Sequence, residues 1–347
     1  MSEPDPGFKR VLVTGGCGFI GANLVRHLLA EHPRLEVVNL DALTYAGNLD
    51  NLAGITEDSR YRFVHGRVED AACSGEALDG VDVVVHLAAE THVDRSILGP
   101  QVFVTTNVLG TQVLLDTALS LGVKRFLHVS TDEVYGPAPP GARFDEQAAF
   151  RPSSPYAASK AAADLLALAC ARTYGLEVVV TRCSNNYGPY QFPEKLIPLT
   201  VVNALEGKPI PVYGDGQQIR DWIHVEDHCR ALVAVMIGGA PGSAYNVASG
   251  EALPNLDLVR SVLDELGRPH SLVHHVEDRP AHDRRYALDA DRLTRELGWR
   301  PRRSWEEGLR ETIQWYRDNR PWWERVRDGS YREYYDLQYG KRLSDET

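Results

Sequence analysis

Cysteine is scarce in this 347-residue chain, and the few present form no pattern. The five are Cys17, Cys73, Cys170, Cys183 and Cys229. An odd number, scattered spacing and the lack of any C-x-x-C pair argue against a disulfide framework and a zinc site. Reduced, mostly buried thiols are predicted, and no metal site. The first residues, MSEPDPGFKR, lack the apolar stretch of a signal peptide. A run of about 18 apolar residues, which a bilayer span needs, is also missing. Basic residues are outnumbered, leaving a formal net charge of −11. The chain therefore offers no footprint for nucleic acid or an anionic membrane. A local Arg/Lys cluster can still hold an anionic small molecule. Repeats and low-complexity tracts are absent too. The expectation is a cytoplasmic globular protein with neither nucleic acid nor membrane as partner.

What is present is ample core material: 43% of residues are hydrophobic, an ordinary globular share. The length suggests one elaborated α/β domain or two domains. Strands are expected at Arg10–Thr14, Leu35–Leu40, Arg62–His65, Val81–Leu87, Arg125–Ser130 and Glu177–Thr181. Helices are expected at Ala22–Glu31, Val102–Leu121 and Tyr156–Tyr174, the last announced by Pro155. A further helix starts at about Trp305. Strands alternating with helices predict an α/β fold with a Rossmann-type, doubly wound parallel sheet.

The first strand runs into Gly15-Gly16-Cys17-Gly18-Phe19-Ile20-Gly21. Gly16, Gly18 and Gly21 satisfy G-x-G-x-x-G, and Gly15, Gly18 and Gly21 the G-x-x-G-x-x-G variant. Such glycines allow a tight turn, close approach to a pyrophosphate and close helix–sheet packing. The helix that follows offers free N–H groups to phosphates. A glycine pattern alone is equally a structural turn. Here a strand precedes it, a helix follows it, and Asp41 stands twenty residues beyond Gly21 to accept from ribose hydroxyls. An acid there repels a 2′-phosphate, and no Arg lies between Leu40 and Arg60, which favours NAD over NADP. The cofactor-binding region is placed at 8–184, with later segments able to return to it. After residue 185 prolines and glycines become frequent. A smaller mixed α/β substrate region is placed at 185–328, and a weakly ordered tail at 329–347.

Two further patterns carry chemistry. Tyr156 and Lys160 form Y-x-x-x-K on one helix face. An ammonium near a phenol favours the phenolate, so Lys160 is expected to lower the pKa of Tyr156. Such a phenolate takes a proton from a sugar hydroxyl as hydride leaves the same carbon. Upstream, Thr131-Asp132-Glu133 follows the strand Arg125–Ser130, at the carboxyl end where parallel sheets bind ligands. Neighbours on a strand point oppositely, but a turn lets both acids converge. Two acids in unlike surroundings can serve as one acid and one base. Each pattern also has an ordinary alternative, a plain helix face and a solvated acid pair.

At these residues the chain resembles the extended short-chain dehydrogenase/reductases, specifically the dTDP-glucose 4,6-dehydratases, from about Arg10 to about Arg320. The most specific segments are Leu40–Asn48, His86–Ser96, Thr131–Glu133, Asn185–Leu196, Arg220–Trp222 and Asp278–Asp283. The resemblance implies oxidation at C4 by NAD with Tyr156 as base, removal of the C5 proton by Glu133, and protonation of the departing 6-hydroxyl by Asp132. Hydride then returns to C6, so NAD is regenerated and stays bound through each turnover. The resemblance also implies that Phe19, Ile20, Asp41, Ala42, Leu43, Thr44, Val68, Leu87, Ala88, Ala89, Thr106, Tyr156, Lys160 and Asn186 line the cofactor, with Gly15, Gly18 and Gly21. Thr91, Thr131, Asn185, Lys195, Leu196, Pro211, Tyr213, Arg220, Asn246, Arg279 and His282 would hold the nucleotide sugar. Lys195, Arg220 and Arg279 suit a diphosphate, although Arg220 beside Asp221 and Arg279 beside Asp278 also read as surface ion pairs.

Two positions depart from the family pattern. Arg67 stands where an Asp near the adenine amine is usual, and a cation cannot accept that hydrogen bond, so Arg67 is left out of the site. Ala281 replaces a usual Gly. Three readings remain open: the dehydratase, a related enzyme such as a 4-epimerase or a UDP-glucose 4,6-dehydratase, and a non-catalytic NAD-binding module. A homodimer is expected, because Val102–Leu121 and Tyr156–Tyr174 are apolar around more than one face, and the family builds its interface from these helices.

Overall fold

Alternating burial turns the short apolar runs of the first half into one two-sided sheet. The computed structural model describes residues 7–280, 282–327 and 335. Its strands are β1 (Arg10–Thr14), β2 (Glu36–Asp41), β3 (Tyr61–His65), β4 (Val83–His86), β5 (Arg125–Thr131), β6 (Glu177–Cys183), β7 (Asn185–Tyr187), β8 (Ile210–Tyr213), β9 (Ile219–His224), β10 (Ala244–Val247), β11 (Ala252–Pro254) and β12 (Val273–Val276). Seven of them pair in the order β10-β6-β5-β4-β1-β2-β3, every pair parallel. Val11, Val13, Val83 and Val85 face one core, while Leu12, Val38 and Val84 face the other. That period of two is the mark of a sheet covered on both sides.

Helices cover both faces. Phe19–Glu31 and Val225–Gly238 pack on the first core; Ala71–Leu78, Gly110–Ser120 and Pro155–Tyr174 pack on the second. Strand order reverses at β1, which has β2 on one side and β4 on the other. A crevice opens at such a reversal, outside the carboxyl ends of the strands. Helix Pro155–Tyr174 begins at the predicted proline. Ser154 caps it by accepting from Ala157 N at 3.1 Å, and Gly175 ends it in the left-handed region at φ 77°.

The later chain builds a smaller layer: a sheet β11-β9-β7 and a pair β12-β8, over a third core containing Trp222, Trp305, Trp322 and Trp323. The division is not sequential. β10 returns to the large sheet beside β6, and helix Val225–Gly238 returns with it.

The expected helix Val102–Leu121 is a composite of Pro100–Phe103, a π-helical stretch Val104–Leu109 and Gly110–Ser120. Asn107 explains the wider turn. Its side chain donates to Glu90 O at 3.0 Å and to Ser159 Oγ at 2.8 Å, and accepts from Glu90 N at 2.8 Å. Such bulges gather at functional sites, and this one brings Thr106 to the cofactor-side cavity. Pro100–Ser120 also has the length and mean hydropathy, 1.3, of a bilayer span. Counting uninterrupted apolar residues had missed that. Its buried polar groups nevertheless bond within the protein: Thr111 Oγ1 lies 3.0 Å from His86 Nε2. Ala281 and the tail from Gly329 lie outside the described residues, apart from Tyr335.

Candidate active site

The glycine turn forms the floor of the crevice. Gly15 has φ 71°, and a Cβ there would stand 2.9 Å from Ala88 Cα, so only glycine lets the turn lie against the loop after β4. Gly18 caps helix Phe19–Glu31 without a side-chain bond. That end therefore presents N–H groups and a positive dipole end to an anion. Asp41, at the end of β2, binds the turn as well as facing the cavity. Its two oxygens accept from Cys17 N and Leu43 N, each at 2.8 Å. Burial raises its carboxyl above the usual range.

A cavity of about 310 Å³ runs from this turn to the end of β5. Its wall includes Gly15, Gly18, Phe19, Ile20, Gly21, Asp41, Ala42, Thr44, Val68, Leu87, Ala88, Ala89, Thr106, Tyr156, Lys160 and Asn186. Leu43 is the exception among the residues assigned to the cofactor. It sits at φ 49° with its N–H held by Asp41, and it packs against the core beside the turn. Arg67, left out on sequence grounds, does line the wall, more than half exposed and 3.5 Å from Glu69. Glycines that leave room, a free helix end, an acid one strand further and a buried Tyr–Lys pair suit a dinucleotide.

The Thr131-Asp132-Glu133 run leaves β5 as a 3-10 turn, Asp132–Tyr135. That turn breaks strand alternation, so both carboxyls reach the cavity. Thr131 Oγ1 donates to Asp132 Oδ1 at 3.2 Å and accepts from Glu133 N at 3.3 Å. Asp132 Oδ2 is buried with no partner, a polar atom held ready for a ligand. Burial, then the Glu133 charge, pushes the Asp132 carboxyl up to about 8. Burial raises Glu133 too, but Arg279, Arg220 and Lys195 all oppose the rise. Two adjacent acids are thus set apart: Asp132 holds its proton, and Glu133 faces three cations.

Tyr156 lies on the buried face of its helix, edge-on to Phe103 at 6.4 Å. Its pKa departs from expectation. Burial, then Glu133, pushes the phenol well above its ordinary value. Lys160 donates to Val129 O at 2.8 Å, and burial pulls its ammonium down to about 8. The pocket's negative charge and its dryness outweigh the lysine.

A second cavity adjoins the first and shares Thr91, Glu133, Asn185, Asn186, Gln191, Glu194 and Lys195 with it. It adds Leu196, Pro211, Tyr213, Arg220, Arg279 and His282. Neither arginine forms a surface pair with its sequence neighbour. Arg220 donates to Asp283 O at 2.9 Å, with its guanidinium 4.3 Å over Tyr286. Asp221 accepts instead from Ser184, Ser249 and Gly250. Arg279 pairs with Asp94 at 3.2 Å. His282 pairs with Asp278, and burial lowers it to about 4.

Asn246 does not join the site. It is fully buried on β10, where its amide donates to Phe144 O and Asp289 O and accepts from Tyr135 Oη. Glu90, Glu194, Cys183 and Tyr286 line the cavities without having been singled out. Glu90 and Glu194 lay inside the segments quoted for the resemblance, and only their burial marks them. Among the described residues no cluster of His, Cys, Asp and Glu could hold a metal ion.

The model of the GDP-mannose 4,6 dehydratase family matches residues 12–312. The chain is 52% identical to a dTDP-glucose 4,6-dehydratase of Streptomyces niveus, over 91% of this chain and 95% of that one. It belongs to the dTDP-glucose 4,6-dehydratase family. A crystal structure of the Streptomyces venezuelae enzyme of that name, with NAD bound, superposes with a TM-score of 0.89 at 54% identity, covering 91% of this chain and 99% of that one. A UDP-glucose 4-epimerase of Thermus thermophilus in complex with NAD reaches 0.83 at 32% identity, covering 89% and 99%. The fold is therefore shared with epimerases.

Proposed function

We propose that the protein converts dTDP-glucose to dTDP-4-keto-6-deoxyglucose and water, using NAD that it regenerates. The observation that carries this is the unlike pair Asp132 and Glu133 beside Tyr156. A 4-epimerase needs only redox chemistry at C4. Loss of water needs an acid and a base as well.

NAD, when bound, supplies the hydride acceptor at C4, the hydride donor at C6 and a positive charge in a cavity otherwise crowded with acids. Tyr156 takes the proton of the 4-hydroxyl, which Thr131 is placed to share. The resulting ketone acidifies C5–H, and Glu133, whose rise from burial three facing cations oppose, removes that proton. Asp132, neutral below about pH 8, delivers its proton to the departing 6-hydroxyl; as hydride returns to C6, Glu133 gives a proton back to C5, which saturates the C5–C6 bond. Lys195, Arg220 and Arg279 gather in the second cavity, where they suit a diphosphate.

The test is incubation with dTDP-glucose, followed by the alkali-induced absorbance of a 4-keto-6-deoxy sugar. Formation of dTDP-galactose instead would select the epimerase reading. A preference for UDP-glucose would move the substrate, since one methyl group is worth about 1–3 kcal/mol in a pocket.

The protein is further read as a homodimer. Leu98, Val102, Val104, Leu109, Leu121, Leu165 and Tyr174 are exposed large apolar side chains on or beside the two helices expected to pair. Isolated surface apolar residues are ordinary, but several on two helices that pack together favour an interface. All five cysteines are free, which supports a reducing, cytoplasmic setting.

A further inference from the structure

Three segments rim the cofactor-side cavity: the loop 42–48 after β2, residues 90–95 after β4, which run into the helix Val93–Leu98, and the loop 191–195 after β7. Thr44, Ala46, Glu90, Thr91, Phe192 and Glu194 all line it. The first loop is tied to the glycine turn, because Asn48 N and Asn51 Nδ2 both donate to Cys17 O, at 3.0 and 2.8 Å. The third loop ends in Lys195, one of the cations facing Glu133.

A compact set of side chains joins the three. Arg95 donates from Nη2 and Nε to Glu194 Oε2, at 3.2 and 3.3 Å. Its guanidinium also lies 4.0 Å over the ring of Tyr45. The Tyr45 hydroxyl interacts with the Glu194 carboxylate, and its ring meets Phe192 edge-on at 5.6 Å. His92 Nε2 stands 4.0 Å from the other oxygen of Glu194, whose side chain is only 2% exposed.

We propose that Tyr45, Arg95 and Glu194 form a strap across the cofactor cleft that retains NAD between turnovers. This rests on the reading of NAD as a resident, regenerated cofactor, in which no step requires it to leave. A dinucleotide leaving past this rim requires the 42–48 and 191–195 loops to part. Parting them breaks a charge-assisted fork and a cation–π contact. It also leaves a buried carboxylate without its partner, a costly state. Arg220, Arg279 and Tyr213 line the second cavity and not the first, while Glu194 lines both.

The experiment measures exchange of bound NAD for isotopically labelled NAD, with no sugar nucleotide present, in the NAD-loaded protein and in Tyr45→Phe, Arg95→Lys and Arg95→Met. The expected result is exchange about tenfold faster in Arg95→Met, the equivalent of 1.4 kcal/mol. Arg95→Lys and Tyr45→Phe should be intermediate, with melting temperature and dTDP affinity close to those of the parent. Exchange at the parent rate in Tyr45→Phe and Arg95→Met would overturn the proposal. So would a gain in exchange that only tracks loss of thermal stability. Should Arg95→Met fail to fold, Tyr45→Phe decides, since it removes a single oxygen. The readout needs no turnover, so failure of the strap and failure of the dehydratase reading appear in different assays.

Discussion

The Arg279 guanidinium is paired with Asp94, 185 positions away in sequence, and not with adjacent Asp278. Asp94 also accepts from the Tyr213 hydroxyl at 3.0 Å, so one buried carboxylate orients two groups of the second cavity. Asp94→Asn should therefore raise KM for dTDP-glucose about tenfold, within the range for a hydrogen bond to a charged group, and change kcat much less. Steady-state kinetics distinguishes this from a general loss of folded protein.

The two acids should fail differently. Glu133→Gln removes the base and should abolish exchange of the C5 hydrogen with deuterated solvent, along with product formation. Asp132→Asn should keep C5 exchange and lose expulsion of water. Each should lower product formation by about 10²–10⁴, the usual worth of one acid–base group. Mass spectrometry of the recovered sugar nucleotide in D2O reads both. Equal C5 exchange in the two variants would refute the division of roles.

Activity should fall on the alkaline side with an apparent pKa near 8. Asp132 is raised to about 8 by burial and by Glu133, so its acid form is present below that pH and lost as pH rises through it. The limb combines the Asp132 acid form needed for water loss with the Lys160 ammonium, which burial also brings to about 8, so Asp132→Asn should remove only the Asp132 part of it. A pH–rate profile of kcat checks both statements.

A charge placed on the exposed apolar face should split the proposed dimer. Leu165 is 59% exposed on helix Pro155–Tyr174, so Leu165→Glu should leave the fold intact and halve the mass in solution. Light scattering at micromolar concentration measures it. A parent protein that is already monomeric would reject the interface.

Much of this site was legible because it lies where local rules hold. The glycine turn, Asp41 and the Y-x-x-x-K pair sit on elements whose periodicity and caps are strong, and the sheet assembled around them. Residues whose role depends on distant partners were not legible. Asn246 looked available for a ligand but is consumed by Phe144, Asp289 and Tyr135. Arg67 was dismissed because it cannot accept a hydrogen bond, yet its position after β3 puts it in the wall regardless. The phenol of Tyr156 was expected to fall because Lys160 is four residues away. The burial that raises it, and the approach of Glu133, belong to the assembled pocket. The π-helical turn at Val104–Leu109 depends on Asn107 finding Glu90 and Ser159, which no reading of a helix by itself can show.

The return of β10 to the large sheet bears on how the chain is made. β6 lies between β5 and β10, so until residues 244–247 have left the ribosome its outer edge is an unpaired row of amides and carbonyls. Such an edge invites pairing with other chains. A nascent chain stalled near residue 184, or a fragment cut there, would contain nearly every group that faces the cofactor and still be poised to aggregate. The large sheet is not complete in any piece that ends before β10; its last strand arrives only after β7, β8 and β9 have been synthesised.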